Sequence, residues 1–205
     1  MSFTESTQRM SIHLSEQDLI ATGTTRSCYR HPEHPGRCIK VDLGIVPGVT
    51  SHKEVRYFEK LKRIRPDFDY VSVARCYGWL DTNMGPGTAH DLVLNETDQQ
   101  CSQTLEVFMQ QPQSEAAIEK VRAAFDHFVS ELLHYCIPIR DMNHKNLCVQ
   151  KLNDGNYRLV AVDGVGHTHM IPVIDYSRWY ARKKIHGYLD RFGLSQTMFD
   201  TIESC

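Results

Sequence analysis

Lys40, Glu54, Asp141, Asn146 and Asp163 follow one another along the chain in an order that suits phosphoryl-transfer chemistry. Such chemistry needs backbone amides or a cation on the phosphates, amide or carboxylate oxygens on Mg²⁺, and a carboxylate near the incoming nucleophile. Lys40 sits in Cys38-Ile39-Lys40-Val41, a short apolar run. An ammonium there is costly to bury unless an anion receives it. Glu54, fourteen residues further on, is one candidate for that anion. Its other reading is a capping box, Ser51-His52-Lys53-Glu54, in which the carboxylate satisfies a backbone donor. Both stay open on the sequence. Gly23, in Ile20-Ala21-Thr22-Gly23-Thr24-Thr25-Arg26, stands between two strands, where glycine lets backbone N–H groups approach phosphates. An ordinary hairpin turn uses the same residue.

The more specific signal lies downstream. Asp141 and Asn146 stand five apart in Ile139-Arg140-Asp141-Met142-Asn143-His144-Lys145-Asn146-Leu147-Cys148-Val149. A turn of that length can set Asp141 near an acceptor hydroxyl while Asn146 turns back toward a metal. Asp163, seventeen residues after Asn146, closes the apolar run Val160-Ala161-Val162 and is followed by Gly164 and Gly166. It is placed to be a second metal ligand. Asp and Asn are also common surface turn residues. The joint order, each residue on a suitable element, favours the chemical reading.

The elements that must position these residues can be outlined. Leu14 to Tyr29 reads as strand, turn and strand, and Cys38 to Val41 as a third strand. A helix opens at Ser51, with Val55, Phe58 and Leu61 at helical spacing, and Pro66 closes it. Val71 to Leu80 and His90 to Leu94 read as strands joined by the turn Asn83-Met84-Gly85-Pro86-Gly87. From Ser114, a plausible N-cap, the stripe Ile118, Val121, Phe125, Phe128, Leu132 and Tyr135 makes a long helix that Pro138 stops. Leu147–Gln150 and Tyr157–Val162 flank Asp154-Gly155 as a hairpin. Tyr176 to Phe192 is a closing helix, with Trp179, Ile185, Leu189 and Phe192 expected inward and Gly193 just past its end. The predicted class is α+β: a flexible 1–13, a small antiparallel β lobe with one helix over 14–97, and a shortened, mainly helical lobe over 98–205.

Composition narrows the alternatives. The net charge is −2 and the cations are dispersed, which argues against a nucleic-acid binder. The seven cysteines include no C-x-x-C pair, so free thiols in a reducing, cytoplasmic setting are expected. No run approaches a transmembrane segment, and the polar N-terminus lacks a secretory apolar core. His167 and His169 are close enough to suggest a metal, but a polar loop is the stronger reading.

Several stretches resemble the PhoP regulatory network protein YrbL family. They are Ala21-Thr22-Gly23, Cys28-Tyr29-Arg30-His31-Pro32, Arg37-Cys38-Ile39-Lys40-Val41, Val162-Asp163-Gly164-Val165-Gly166, Ile171-Pro172, Ser177-Arg178-Trp179 and Arg191-Phe192. The similarity runs from about Leu14 to Gly193. It implies a protein-kinase-like two-lobe fold and a link to PhoP-type bacterial stress regulation. By that resemblance Lys40 matches the phosphate-pairing lysine and Glu54 its partner. Asp141 matches the catalytic aspartate, and Asn146 and Asp163 the metal ligands. The departures are Ile139 for a histidine, Asn143 for a lysine, Gly164 for a phenylalanine and Ala21 for a glycine. Only 42 residues follow Asp163, without an Ala-Pro-Glu-like motif. A small-molecule, lipid-headgroup or single dedicated protein acceptor is therefore expected rather than a broad range of protein substrates. The expectation is an atypical kinase using ATP and Mg²⁺. The alternative is a catalytically weak pseudokinase that binds nucleotide as a regulatory module. The closing helix is basic, at Arg178, Arg182, Lys183, Lys184 and Arg191, and such a run is usually a solvated face.

Overall fold

A computed structural model of the chain describes residues 11–44, 49–166, 177–195 and 198–199. The architecture is α+β, with an antiparallel five-stranded sheet, a three-stranded sheet and four α-helices among the described residues. The chain divides into two compact units. One is Met1–Val55 with Cys76–Leu92, and the other is Arg56–Arg75 with Val93–Cys205.

In the first unit the strands are β1 (Leu19–Thr22), β2 (Arg26–Arg30), β3 (Arg37–Asp42), β4 (Cys76–Thr82) and β5 (Gly85–Asp91). Their order across the sheet is β1-β2-β3-β5-β4. Alternation along β3 sends Ile39 and Val41 to one face, where they pack with Leu14, Ile12, Tyr29 and Leu80. Cys38 and Lys40 take the other face. The register sets Lys40 opposite Cys28 on β2 and opposite Thr88 on β5, and Cys38 opposite His90. Gly87 lies so close to β3 that a Cβ there would meet Ile39 Cγ2 at 2.9 Å. That close approach requires glycine.

Two expected strands shift. The segment read as Val71–Leu80 is split: β4 begins only at Cys76, while Val73 pairs with Ala161 in the second unit. The second strand begins at Gly85 rather than His90, so the turn shrinks to Asn83 and Met84. Pro86 is tolerated inside β5 because the pairing with β3 ends at Gly87. Its missing N–H therefore breaks no ladder bond on that side. Ahead of β1, residues 16–18 form a 3₁₀ turn rather than strand, closed by the hydroxyl of Ser15 on Asp18 Oδ2 at 2.7 Å.

Helix α1 (Val49–Ile64) passes from the first unit into the second after Val55. The second unit continues with β6 (Gln103–Thr104), α2 (Leu105–Gln110), α3 (Glu115–Tyr135), β7 (Leu147–Lys151), β8 (Tyr157–Ala161) and α4 (Arg178–Arg191). Ser114 caps α3 by accepting from the Ala117 amide at 3.2 Å. The helix ends at Cys136, whose φ of 56° is left-handed. Its stripe of Ile118, Val121, Phe125, Phe128 and Leu132 is buried. Each such side chain contributes roughly 1.5–3 kcal/mol on leaving water. Arg65, just after α1, donates from Nε to the Tyr135 carbonyl at 2.8 Å and so satisfies an orphan acceptor of α3.

In α4 one inward assignment fails. Ala181, Ile185 and Leu189 form the buried stripe, whereas Trp179 is 71% exposed. Six residues separate Trp179 from Ile185, which puts it well round the helix from that stripe.

Candidate functional site

The predicted residues fall into two sets. Gly23, Lys40 and Glu54 belong to the first unit, and Asp141, Asn146 and Asp163 to the second.

The first set lies around the polar face of the five-stranded sheet. Lys40 is 8% exposed and Glu54 6%. The carboxylate of Glu54 accepts from Arg26 Nη1 at 2.7 Å, and Arg26 is itself buried. Arg26 is a functional candidate that sequence reasoning missed. Its only signal was a cation at the start of the strand next to that of Lys40. Ser51 lies inside α1 and donates its hydroxyl to Asp42 Oδ1 at 2.8 Å. Neither Ser51 nor Glu54 therefore acts as the capping pair. Gly23 donates its amide to the Arg26 carbonyl at 2.8 Å and closes the β1–β2 turn. That amide is engaged by the hairpin itself.

The side chains on this face are desolvated and of mixed charge. Burial, against a backbone hydrogen bond at Gly78, sets the Cys76 thiol at about 11, with Glu54 contributing to the rise and Lys40 and Arg26 opposing it. His90 is 1% exposed, and its imidazole is held well below the usual histidine range by burial, helped by Lys40 and Arg26. It is therefore neutral near physiological pH. Its Nε2 lies 3.0 Å from the hydroxyl of Thr88, while Nδ1 is buried without a hydrogen-bond partner.

The second set is assembled by two segments running side by side. The amide of Arg140 donates to the Gly164 carbonyl at 2.8 Å, and that of Gly166 to the Pro138 carbonyl at 2.8 Å. Fully buried Ile139 and Met142 anchor the loop that carries Asp141. Asn143 then caps a 3₁₀ turn, His144–Asn146, by accepting from the Lys145 amide at 3.1 Å. Asn146 donates from Nδ2 to the Asp141 carbonyl at 3.2 Å, which closes the loop on itself. Its own carbonyl accepts from the Val162 amide at 2.8 Å, next to Asp163. Asp163 Oδ1 accepts from the Gly164 amide at 2.6 Å. Asp141, Asn146 and Asp163 are all half-buried.

Gly164 explains itself here. Its φ is +72°, and a Cβ would fall 2.7 Å from that of Asp141. A side chain at this position would displace the aspartate. Gly166 has the same constraint against Tyr57, at 2.6 Å from Cγ.

Residues 12–195 match the family model described as PhoP regulatory network protein YrbL. The chain belongs to that family. Relatives include proteins titled "Uncharacterized protein YrbL" from Escherichia coli (strain K12) and Shigella flexneri. Each is 28% identical over 184 residues, covering 88% of this chain and 86% of the relative. The family is thereby linked to the PhoP regulatory network.

In this YrbL-family chain the donor set suits a hard cation. Asn146 spends its amide N–H on Asp141, which fixes the side chain that would offer its oxygen, and the Gly164 amide orients the Asp163 carboxylate. Mg²⁺ takes one or two such oxygens and fills its remaining positions with water and phosphate oxygens. No group of three or more His, Cys, Asp or Glu residues able to hold a metal occurs among the described residues. His167 and His169 lie outside the described residues. Among those residues, too, no helix is long and apolar enough to cross a membrane.

Proposed function

We propose that this chain has a protein-kinase-like fold and is an ATP- and Mg²⁺-dependent phosphotransferase within a PhoP-linked regulatory pathway. The observation that carries this reading is the loop pair of the second unit. There an Asp-x4-Asn turn is closed by its own asparagine and lies against the segment that carries Asp163. In the proposed mechanism Lys40 contacts the phosphates, and Glu54 contributes the negative charge that keeps a buried ammonium tolerable. Asn146 and Asp163 would hold Mg²⁺. Asp141 accepts the proton of the acceptor hydroxyl and orients it. When bound, the metal neutralises charge on the transferring phosphate oxygens. Positioning and electrostatics supply most of the rate, so the rigidity of the Asp141 loop is itself a catalytic asset.

A second reading is supported by the first unit. The Gly23 amide is engaged within its hairpin, and Glu54 is paired with Arg26. Both features suit a catalytically weak pseudokinase that binds nucleotide as a signal.

Turnover separates the two. ATP consumption by wild type, with loss in Asp141→Asn while nucleotide binding persists, supports the phosphotransferase. Binding without turnover in wild type supports the pseudokinase. Turnover that survives Asp141→Asn removes Asp141 from the mechanism.

A further inference from the structure

The face of the five-stranded sheet that carries Lys40 also carries thiols that phosphoryl transfer does not use. Directly opposite residues on antiparallel strands share a face, and so do residues two apart on one strand. Cys28 stands opposite Lys40 and Cys38 opposite Arg30, so the two cysteines are diagonal neighbours on one face of the β2–β3 pair. Their side chains are hydrogen-bonded to each other. Further across the sheet, Cys38 stands opposite His90 on β5, and His90 opposite Cys76 on β4. Cys76 is therefore two strand spacings from Cys38, about 9–10 Å, which is beyond disulfide reach. The row is not a metal centre either, since no group of three or more His, Cys, Asp or Glu residues able to hold a metal occurs among the described residues. The thiols in contact are Cys28 and Cys38.

The two are unequal. Cys28 is half-buried, with Lys40 opposite it and Arg26 two residues before it on the same face. A partly accessible sulfur in cationic surroundings, beside a second thiol, is the arrangement that peroxides oxidise selectively. Cys38 is 4% exposed. Its thiol is held well above the usual cysteine range by the hydrogen bond with Cys28, then by burial and by the charge of a Cys28 thiolate. Oxidation of Cys28 to a neutral sulfenic acid removes that charge and frees Cys38 to react.

We propose that Cys28 and Cys38 are a peroxide-sensitive dithiol, in which a hydroperoxide oxidises Cys28 and Cys38 then closes a reversible disulfide between β2 and β3. With hydrogen peroxide, the Cys28 sulfur attacks one oxygen, the O–O bond breaks, and the other oxygen leaves as water. The Cys38 sulfur then gives up its proton and attacks the Cys28 sulfur, and the sulfenic oxygen leaves with that proton as a second water. Two thiols and one peroxide thus yield one disulfide and two waters. Diagonal neighbours on a ladder lie about 7–8 Å apart, slightly beyond the usual disulfide span. Closing the bond draws the strands together and leaves it easily reduced, which suits a reversible modification. This is independent of the phosphotransferase reading.

The test exposes the reduced full chain to hydrogen peroxide, alkylates the remaining thiols and digests with trypsin under non-reducing conditions. Mass spectrometry should find the peptide 27–30 linked to the peptide 38–40, with the link lost on adding dithiothreitol. Cys28 and Cys38 should lose alkylation in equal amounts. Cys38→Ser should leave Cys28 as a sulfenic acid that dimedone traps, whereas Cys28→Ser should leave Cys38 open to alkylation. Cys76→Ser should link as wild type does. Unchanged unfolding temperatures check the variants, and the wild-type peptide map decides the pairing without them. Full alkylation of Cys28 after peroxide, or its oxidation without a link, would overturn the proposal. So would a link from either residue to another cysteine, linking only in urea, or oxidation of Cys38 in Cys28→Ser to the wild-type extent.

Discussion

Arg26→Met isolates the least expected interaction in the first unit. Arg26 and Glu54 meet at 2.7 Å with side-chain exposures of 5% and 6%. Removing the guanidinium leaves a carboxylate buried beside the Cys76 thiol, whose elevated pKa shows how poorly that region is solvated. Breaking a buried pair by deleting one partner costs about 3–5 kcal/mol, because the remaining charge keeps its desolvation penalty. For a chain of this size that is a fall of roughly 6–20 °C in unfolding temperature. Glu54→Gln should cost less, about 1–3 kcal/mol, since the amide oxygen still accepts from Arg26. Replacing both, Arg26→Met with Glu54→Leu, should recover most of the loss. Urea unfolding near neutral pH, with an unchanged slope, reads all three. A cost below about 1 kcal/mol for Arg26→Met, or a double variant as unstable as the summed singles, would refute the reasoning. In the first case another group would be satisfying Glu54 instead.

Three further outcomes follow from the same geometry. Gly164→Ala should destabilise by about 1–3 kcal/mol more than Gly78→Ala, because both have positive φ but only the former drives a Cβ into Asp141. Urea midpoints of the two variants check it. Stability should fall as pH drops below about 6.5, because His90 stays neutral in the fold while the unfolded chain takes up the proton. At one pH unit below that value His90→Phe should remove about 1.4 kcal/mol of this acid sensitivity, measured as the difference in urea midpoint between neutral and acidic buffer. Ser114→Ala should cost about 1 kcal/mol through loss of the α3 cap, with Ser114→Asp near neutral by thermal unfolding.

Helix α3 was legible because its cap, apolar stripe and terminating proline all act within one segment. The hairpin β7–β8 was equally plain, since Gly155 at φ +79° supplies the turn that Asp154-Gly155 announces. The Val71–Leu80 segment was misread for a physical reason. Alternation reveals an extended chain but not its partner, and here the first part pairs with β8 and the second with β5. Trp179 departs from its expected inward place because it is out of phase with the buried stripe, while the smaller Ala181 keeps the phase of Ile185 and Leu189. In the candidate site, Asp141, Asn146 and Asp163 could be named from their spacing and flanking elements. The choice of Arg26 by Glu54 could not. It depends on which of two adjacent strands presents its cation to α1, and that is a property of register rather than of composition.

Whether the chain binds a magnesium–nucleotide is decided by titration calorimetry of ATP into the full chain, with and without Mg²⁺, comparing wild type with Lys40→Ala and Asp163→Ala. Wild type is expected to bind in a Mg²⁺-dependent manner, with binding weakened by both substitutions and the metal dependence lost in Asp163→Ala. Absence of any binding by folded wild type, or binding indifferent to both changes, would contradict that expectation.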